Sequence, residues 1–255
     1  MSTQVGVTLY NLREYCKTAD GLRKSLELLR KCGCVNVQVS GVPLEPAEIR
    51  KALDEFGMHC CTTHEGYDAM NADPGAICDK LDTLGCDFTA LGAAPELYRS
   101  HLGMTELTGR LNDIGRKLAA RGKMLGYHNH HFEFDRKGGE RILFATLLEH
   151  ADPEILKLEL DVAWLTRGGS DPAVWLRRFA GRTPVVHLKD FTILNGEPTF
   201  CEIGEGNLNW HAIIPACFET GVKFAVIEQD TPFPGRSIFD SMAISLRNAA
   251  ALDLK

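Results

Sequence analysis

One joint recurs along this chain: an amphipathic helical segment, then a glycine, then a short apolar run. The glycine of the joint falls at Gly33, Gly57, Gly85, Gly122 and Gly221. A glycine just past a helix end can adopt the left-handed conformation that turns the chain into a strand. The runs that follow, such as CVNVQVS and VKFAVIE, lack sustained alternation, which is typical of strands buried on both faces of a parallel sheet. The joint therefore predicts repeated βα units.

Three further apolar runs complete the set of strands. The predicted strands are centred near residues 7, 37, 61, 88, 126, 159, 186 and 226. The predicted helices between them include Pro46–Phe56, Thr105–Arg121, Asp171–Phe179, Trp210–Thr220 and Ser237–Leu252. No glycine-rich phosphate loop follows the first strand, which argues against a Rossmann fold. The length of 255 residues matches the roughly 250 of one barrel, so we predict an α/β fold, a (β/α)₈ TIM barrel, as a single domain over residues 1–255.

The composition excludes several classes of protein. Hydrophobic residues make up 44% of the chain and charged residues 24%, the balance of a soluble globular domain. No apolar run approaches the ~18 residues of a membrane span, and the N-terminus lacks the pattern of a secretory signal, so we expect a cytoplasmic protein without a membrane partner. The net charge of −6 argues against nucleic acid as a partner. The nine cysteines include no CxxC pair and are predicted to be buried thiols.

Ionisable side chains cluster where four consecutive late strands are predicted to end. Because a strand alternates its faces, they form same-face pairs: His128/His130, Glu159/Asp161, His187/Lys189 and Glu228/Asp230. Reactive groups of such barrels gather at this end of the strands. Carboxylate oxygens with one or two imidazoles suit Mn²⁺, Mg²⁺, Co²⁺ or Zn²⁺. A metal of this kind polarises a carbonyl or hydroxyl group, and a neighbouring carboxylate can then act as general base.

Some of the ionisable residues have a purely structural interpretation. Glu159 lies deeper in its strand than Asp161 and is equally well explained by a buried ion pair with Lys157, Lys189 or an arginine. His59 begins its strand and is expected at the opposite face of the barrel. The histidines predicted to carry no site signal are His101 in a loop and His150 and His211 in helices.

At these residues the chain resembles the xylose-isomerase-like superfamily of sugar phosphate isomerases and epimerases. The resemblance extends over nearly the whole chain. Members of the superfamily include tagatose-type 3-epimerases, hydroxypyruvate isomerases, inosose and dehydroshikimate dehydratases, and endonuclease IV. The matching stretches are 9–13 (LYNLR), 127–134 (YHNHHFEF), 159–164 (ELDVAW), 181–182 (GR), 187–190 (HLKD), 202–206 (EIGEG), 209–210 (NW) and 227–230 (IEQD).

The resemblance implies a one-metal site made of Glu, Asp, His and Glu from four successive late strands. Asp161, His187 and Glu228 match the last three of these. His128 stands at the position of the first Glu, so the fourth ligand is Glu133 from the following loop, or alternatively His128 or His130. Trp164 stands where the epimerases have a His. Both departures fit the dehydratase-like and oxidised-glycoside-processing branches of the superfamily better than a symmetric two-Glu epimerase.

The leading hypothesis is a metal-dependent isomerase, epimerase or lyase that acts on a keto-sugar or keto-inositol. The expected cofactor is one divalent ion, with Mn²⁺ as the first candidate and Mg²⁺, Co²⁺ or Zn²⁺ as alternatives. The expected metal ligands are Glu133, Asp161, His187 and Glu228, and the expected catalytic residues are Glu228, His128 and Lys189. Substrate contacts are expected from Arg13, His64, His130, Trp164 and Lys189.

Two other functions remain as alternatives. A non-catalytic sugar-binding barrel is motivated by His128 at the altered fifth-strand position, and an endonuclease-IV-like phosphodiesterase by the shared fold. The expected partner is a small sugar or polyol, and it is expected to be unphosphorylated because the sequence has no phosphate cradle. A homo-oligomer is also possible, with contacts through the loops at 203–206 and 232–234.

Overall fold

The computed structural model describes residues 3–254. Within that range the strands are β1 (Gln4–Thr8), β2 (Asn36–Val39), β3 (His59–Glu65), β4 (Phe88–Leu91), β5 (Met124–His128), β6 (Leu156–Asp161), β7 (Val185–Leu188), β8 (Asp190–Leu194), β9 (Glu197–Cys201) and β10 (Phe224–Ile227). All except β8 and β9 pair in parallel and close into a barrel in the order β1-β10-β7-β6-β5-β4-β3-β2. The predicted barrel is confirmed, and each predicted strand centre falls inside one of its strands. Residues 1, 2 and 255 of the predicted single domain lie outside the described residues.

Helices surround the barrel. They are α1 (Ala19–Lys31), α2 (Pro46–Glu55), α3 (Tyr67–Ala72), α4 (Pro74–Leu84), α5 (His101–Ala119), α6 (Leu143–His150), α7 (Val162–Arg167), α8 (Pro172–Arg178), α9 (Trp210–Thr220) and α10 (Ile238–Ala251). The predicted bounds agree closely for α2, α8, α9 and α10. The prediction was wrong at the start of α5, because the Ser100 side chain accepts a hydrogen bond from the Gly103 amide and caps the helix earlier. His101, predicted in a loop, is therefore the first residue of α5.

The glycine joints have the expected conformation. Their five glycines have φ between 60° and 86°, the left-handed region that a glycine enters without a side-chain clash. Gly85 and Gly221 end α4 and α9 in this way, and each donates its amide to carbonyls of the last helical turn. The joint thus ends the helix and starts the strand within a few residues.

Small and apolar side chains fill the barrel interior below the site. One buried cluster consists of Cys61, Phe88, Ala90, Val185 and Val226, which come from four different barrel strands. A side chain at Gly126 would lie 2.4 Å from the Phe88 ring, so this position is restricted to glycine by close packing. The cluster forms a solid floor, above which the next inward-facing residues of the strands meet.

An antiparallel hairpin of β8 and β9 extends the chain beyond β7. The strand prediction missed it, although Asn195-Gly196 is a strong signal for a two-residue turn. Both turn residues have positive φ, 52° and 84°. Asp190 at the base of the hairpin holds the loop at 202–209, because its carboxylate accepts hydrogen bonds from the Gly204 and Gly206 amides and from the Trp210 indole.

Two sequence expectations concern the chain as a whole. All nine cysteines are free, and eight of them are buried as predicted; the prediction was wrong for Cys32, which is exposed at the end of α1. No helix among residues 3–254 is long and apolar enough to cross a bilayer.

Candidate metal centre and cavity

Four late strands place a group of potential metal ligands above the apolar floor. His128 follows Gly126 by two residues, and His187 and Glu228 follow Val185 and Val226 by two, so each is the next side chain facing the barrel axis. His128, Asp161, His187 and Glu228 each offer one ligand atom, and these atoms lie within 4.8 Å of one another. All four residues are buried. We call these four residues the carboxylate-rich group.

A cavity of about 460 Å³ opens above this group. This volume lies in the ordinary range of small-molecule sites. The lining contains several hydrogen-bonding side chains and residues of the loops that follow the barrel strands. The lining residues are Tyr10, Ser40, His64, Glu65, Gly66, Leu91, Gly92, Ala93, His128, His130, Lys189, Glu228 and Asp230.

Lys189 lies between three carboxylates at one side of the cavity. Its Nζ is 3.1 Å from Glu228 Oε2, 3.1 Å from Asp230 Oδ2 and 3.4 Å from Asp161 Oδ2. Burial by itself would lower the pKa of Lys189, but the three carboxylates raise it above the ordinary range. In the same way, burial favours a raised pKa for Glu228, but Lys189 and His187 hold it well below its ordinary value. This corner of the site therefore contains a charged ammonium group and an ionised Glu228.

Asp161 is the least satisfied carboxylate of the group. Its Oδ1 accepts the Trp164 amide at 2.9 Å, whereas its buried Oδ2 has no hydrogen-bond partner among the described residues. Burial raises the pKa of Asp161 to about 6, against the lowering effect of Lys189. A buried carboxylate oxygen without a donor is costly, and a cation held with His128, His187 and Glu228 would satisfy it.

Glu159 forms a second group directly beside the first. Its side chain is fully buried; its Oε1 accepts from Gln38 Nε2 at 3.1 Å, and its Oε2 contacts His64 Nε2. His128 Nδ1 lies 3.5 Å from Oε2 and His187 Nε2 lies 3.6 Å from Oε1. The alternative of an ion pair between Glu159 and a lysine or arginine is not found among residues 3–254. Three imidazoles surround this carboxylate, Lys157 Nζ donates to the Pro153 carbonyl, and Lys189 pairs with other carboxylates.

The histidines of the site differ in charge. Burial and the neighbouring His187 lower the pKa of His128 to about 3, and burial also lowers that of His130 to about 2. Burial would lower the pKa of His187 as well, but Glu159 and Glu228 raise it to about 10. His128 and His130 are therefore neutral imidazoles at neutral pH, the protonation state that a metal ligand or a proton acceptor requires.

Glu133, predicted as the fourth metal ligand, lies outside both groups. Its Oε1 accepts from the Tyr127 hydroxyl at 2.7 Å and its Oε2 from the His130 amide at 2.8 Å. Burial raises its pKa to about 8, against the lowering effect of these hydrogen bonds. Both carboxylate oxygens of Glu133 already have donors, so this side chain supports the turn after β5. The fourth potential ligand beside Asp161, His187 and Glu228 is His128 and not Glu133.

Two predicted substrate-binding residues are engaged elsewhere. The Arg13 guanidinium donates to the Tyr10 and Asp230 carbonyls and does not line the described cavity. Trp164 is only 9% exposed, and the Lys189 Nζ lies 4.8 Å from its ring centroid. Neither residue lines this cavity, although both contact residues that do. His64, His130 and Lys189 do line it, as predicted for substrate contacts.

The other predicted non-site histidines make local contacts or are exposed to solvent. His101 contacts the Thr146 hydroxyl at 2.7 Å and the Arg136 carbonyl at 3.0 Å. His59 is exposed at the start of β3, and His150 and His211 are exposed on α6 and α9.

Sequence reasoning missed the loop after β4. Leu91, Gly92 and Ala93 line the cavity but carry no polar side chain that could have indicated a site. Gly92 has a clear steric role, because a Cβ at this position would lie 3.0 Å from His64 Nδ1. The absence of a side chain there gives the His64 ring its place beside the cavity.

No known family model matches the sequence, and no curated protein matches it. Solved structures do match. A sugar phosphate isomerase/epimerase from Parabacteroides distasonis ATCC 8503 is similar with a TM-score of 0.84 and 21% identity, over 98% of this chain and 94% of that chain. The probable 3-DHS dehydratase of Bacillus anthracis, involved in petrobactin synthesis, has a TM-score of 0.75 and 12% identity over 97% of this chain and 99% of that chain. An N-terminally tagged D-allulose 3-epimerase from Methylomonas sp. has a TM-score of 0.75 and 12% identity over 98% of both chains. The chain therefore has the fold of xylose-isomerase-like TIM barrels.

Proposed function

We propose that this chain is a metal-dependent enzyme that isomerises, epimerises or dehydrates an uncharged keto-sugar or keto-inositol by moving a proton next to a carbonyl group. The observation that carries the proposal is the carboxylate-rich group, four buried ligand-type side chains at the bottom of a cavity of about 460 Å³. The names of the similar structures, a sugar phosphate isomerase/epimerase, a dehydratase and an epimerase, support the same class of reaction.

The residues of the group fit a divalent cation. His128, Asp161, His187 and Glu228 supply two imidazoles and two carboxylates, a donor set that suits Mn²⁺, Co²⁺ or Zn²⁺. Within residues 3–254, Asp161 Oδ2 has no hydrogen-bond partner, as expected for an atom that binds a cation. When bound, such an ion withdraws electron density from a carbonyl or hydroxyl oxygen of the substrate.

Three side chains that line the cavity have separate proposed roles in proton transfer and hydrogen bonding. Glu228 lines the cavity and is ionised, so its carboxylate can accept the proton next to the substrate carbonyl. The Lys189 ammonium group, 3.1 Å from Glu228, donates to a developing negative charge on a substrate oxygen. His130 lines the cavity as a neutral imidazole and can hydrogen-bond a substrate hydroxyl group, while the proton taken up by Glu228 is returned to the substrate from the same carboxyl group.

The charge of the lining favours an unphosphorylated substrate. The lining includes the carboxylates of Glu65, Glu228 and Asp230, and its ammonium group, Lys189, already contacts two of them. A phosphate group would be repelled by these carboxylates and would find no cluster of cationic donors. Hydroxyl groups, in contrast, can donate to carboxylates and accept from Lys189 and the histidines.

Proton exchange in deuterated water tests the proposal directly. Protein loaded with Mn²⁺ is incubated with a panel of keto-sugars and keto-inositols, and proton NMR follows the signal next to the carbonyl. We expect exchange or conversion of at least one compound, and a loss of about 10²-fold or more in Glu228→Gln. The exposed His211→Ala on α9 serves as the matched control and should be unchanged. Tight sugar binding without exchange for any loaded metal would instead indicate a binding protein.

A further inference from the structure

The second group of side chains, built around Glu159, has the composition of a metal site of its own. His64, His128, Glu159 and His187 each offer one ligand atom, and these atoms lie within 4.8 Å of one another. We call these four residues the imidazole-rich group. It shares His128 and His187 with the carboxylate-rich group but replaces Asp161 and Glu228 by His64 and Glu159.

Two unpartnered nitrogens point to a ligand in this group. His128 Nδ1 and His187 Nε2 are buried and make no hydrogen bond among the described residues. They approach opposite oxygens of the same carboxylate, at 3.5 Å from Glu159 Oε2 and 3.6 Å from Glu159 Oε1. Buried nitrogens without partners are costly, and at these distances from an ionised carboxylate they leave room for an ion that all three side chains coordinate.

The two nitrogens of the His187 ring have different carboxylate neighbours. Its Nδ1 lies 2.7 Å from Glu228 Oε2 and its Nε2 lies 3.6 Å from Glu159 Oε1. The ring of His64 stacks on it, with centroids 5.3 Å apart and planes inclined by 14°. The imidazole-rich group therefore offers a coordination position at His187 Nε2, the ring nitrogen that does not contact Glu228.

The charge around each group differs. The Lys189 ammonium group lies within 3.4 Å of Asp161 and 3.1 Å of Glu228, so it already balances part of the negative charge of the carboxylate-rich group. In the imidazole-rich group, Glu159 accepts hydrogen bonds from the neutral donors Gln38 at 3.1 Å and Thr62 at 3.5 Å and otherwise faces imidazoles. In the metal-free protein the proton on His187 balances this buried carboxylate, and a divalent cation that replaces that proton would take over the same role.

We propose that His64, His128, Glu159 and His187 form a second divalent transition-metal site, with a preference for ions that favour nitrogen ligands. Three imidazoles and one carboxylate suit Co²⁺, Zn²⁺, Ni²⁺ or Fe²⁺. Mg²⁺ prefers oxygen ligands and is expected to bind the carboxylate-rich group alone. The inference does not require the proposed reaction, since it concerns binding and not turnover.

The test separates the two groups by variants at residues they do not share. Asp161→Asn keeps the side chain that accepts the Trp164 amide and disables the carboxylate-rich group. Co²⁺ is titrated into this variant in excess Mg²⁺, and binding is followed by calorimetry and by the ligand-field absorption of Co²⁺. We expect one equivalent of Co²⁺ to remain bound. Adding His64→Gln or Glu159→Gln should remove it or weaken its affinity by at least about 10-fold.

His130→Gln in the Asp161→Asn background is the matched control, because His130 lines the same cavity but belongs to neither group. It should retain the Co²⁺ equivalent and its absorption spectrum. Circular dichroism establishes that each variant is folded, and Glu159→Gln provides a second probe if the His64 variant is not. The proposal is overturned if folded Asp161→Asn binds no Co²⁺, or if binding survives both the His64 and the Glu159 changes unaltered. Failure of the proposed reaction is separate and would show as bound metal without proton exchange.

Discussion

Lys189 is the residue on which the charge balance of the site depends. Its single ammonium group lies within 3.4 Å of carboxylate oxygens of Asp161, Glu228 and Asp230. Buried charges are tolerated when they are paired, and removal of one partner leaves the others uncompensated. Lys189 is therefore expected to stabilise the folded protein, in addition to its proposed contact with substrate.

Lys189→Met should destabilise the metal-free protein. Three carboxylates would remain in a buried site without their cation, which typically lowers the free energy of unfolding by about 3–5 kcal/mol. Urea unfolding in the presence of a chelator measures this change. Lys157→Met is the matched control, since its ammonium group donates to the Pro153 carbonyl at the protein surface and should change stability by less than about 1 kcal/mol. Equal stability of the two variants would contradict the assigned role of Lys189.

The raised pKa of Glu133 should make the stability of the protein depend on pH. Burial raises its pKa from 4.5 to about 8 in the folded protein, so the folded state binds an extra proton between these values. The free energy of unfolding should therefore fall as the pH rises from about 5 to about 8. Glu133→Gln should lack this component and gain stability relative to the natural protein by up to a few kcal/mol at pH 9.

Urea unfolding at pH 5 and pH 9 measures the Glu133 effect. The exposed Glu140→Gln is the control and should show the same difference between the two pH values as the natural protein. A Glu133→Gln variant with an unchanged pH difference would mean that Glu133 is ionised in the folded state at pH 5.

One buried carboxylate, that of Asp190, anchors the loop that follows the β8–β9 hairpin. Asp190 accepts hydrogen bonds from the Gly204 and Gly206 amides at 3.0 and 3.1 Å and from Trp210 Nε1 at 2.7 Å. Asp190→Asn replaces an acceptor by a donor, and we expect a loss of about 2–3 kcal/mol and faster proteolysis of the loop at 202–209. Limited proteolysis beside urea unfolding measures both effects, and the exposed Asp135→Asn is the control. Unchanged cleavage of the loop would argue against this anchor.

Glycine has opposite roles in helix α5 and strand β5. A Cβ at Gly109, exposed on α5, would meet no atom within 4 Å, whereas a Cβ at Gly126 would lie 2.4 Å from the Phe88 ring. Gly109→Ala should stabilise the protein by about 0.5–1 kcal/mol through helix propensity. Gly126→Ala should destabilise it by about 1–3 kcal/mol through overpacking. The thermal unfolding midpoints of the two variants test this prediction. Midpoints that shift in the same direction in both variants would contradict it.

The proposed metal ligands are distributed over the second half of the molecule. They extend from His128 to Glu228 along the chain and come together only when the barrel closes. A cation bound by this group therefore stabilises the folded state alone, by about 2.7 kcal/mol at a metal concentration 100 times the Kd. Thermal unfolding with and without Mn²⁺ should show a rise of several degrees that a chelator reverses and that Asp161→Asn loses. An identical rise in Asp161→Asn would show that Mn²⁺ binds elsewhere.

The barrel itself could be predicted from local sequence. Each helix–glycine–strand joint is formed by residues that are neighbours in the chain, and the left-handed glycine acts within a few residues. The alternation of strands also predicted that Asp161, His187 and Glu228 face one end of the barrel. The hairpin at 190–201 has a local signal as well, the Asn195-Gly196 turn.

Tertiary structure decided which of the remaining candidate ligands lies beside Asp161, His187 and Glu228. Sequence left Glu133, His128 and His130 as alternatives, and a separation of a few residues in a loop does not specify where a carboxylate points. The Tyr127 hydroxyl and the His130 amide draw Glu133 away from the site, while parallel pairing puts His128 opposite Glu159. The surroundings of Glu159 likewise depend on β2, β3 and β7, whose residues are distant in sequence. Local propensity determined the elements, and the distances between side chains of different strands, which only barrel closure sets, determined the chemistry of the site.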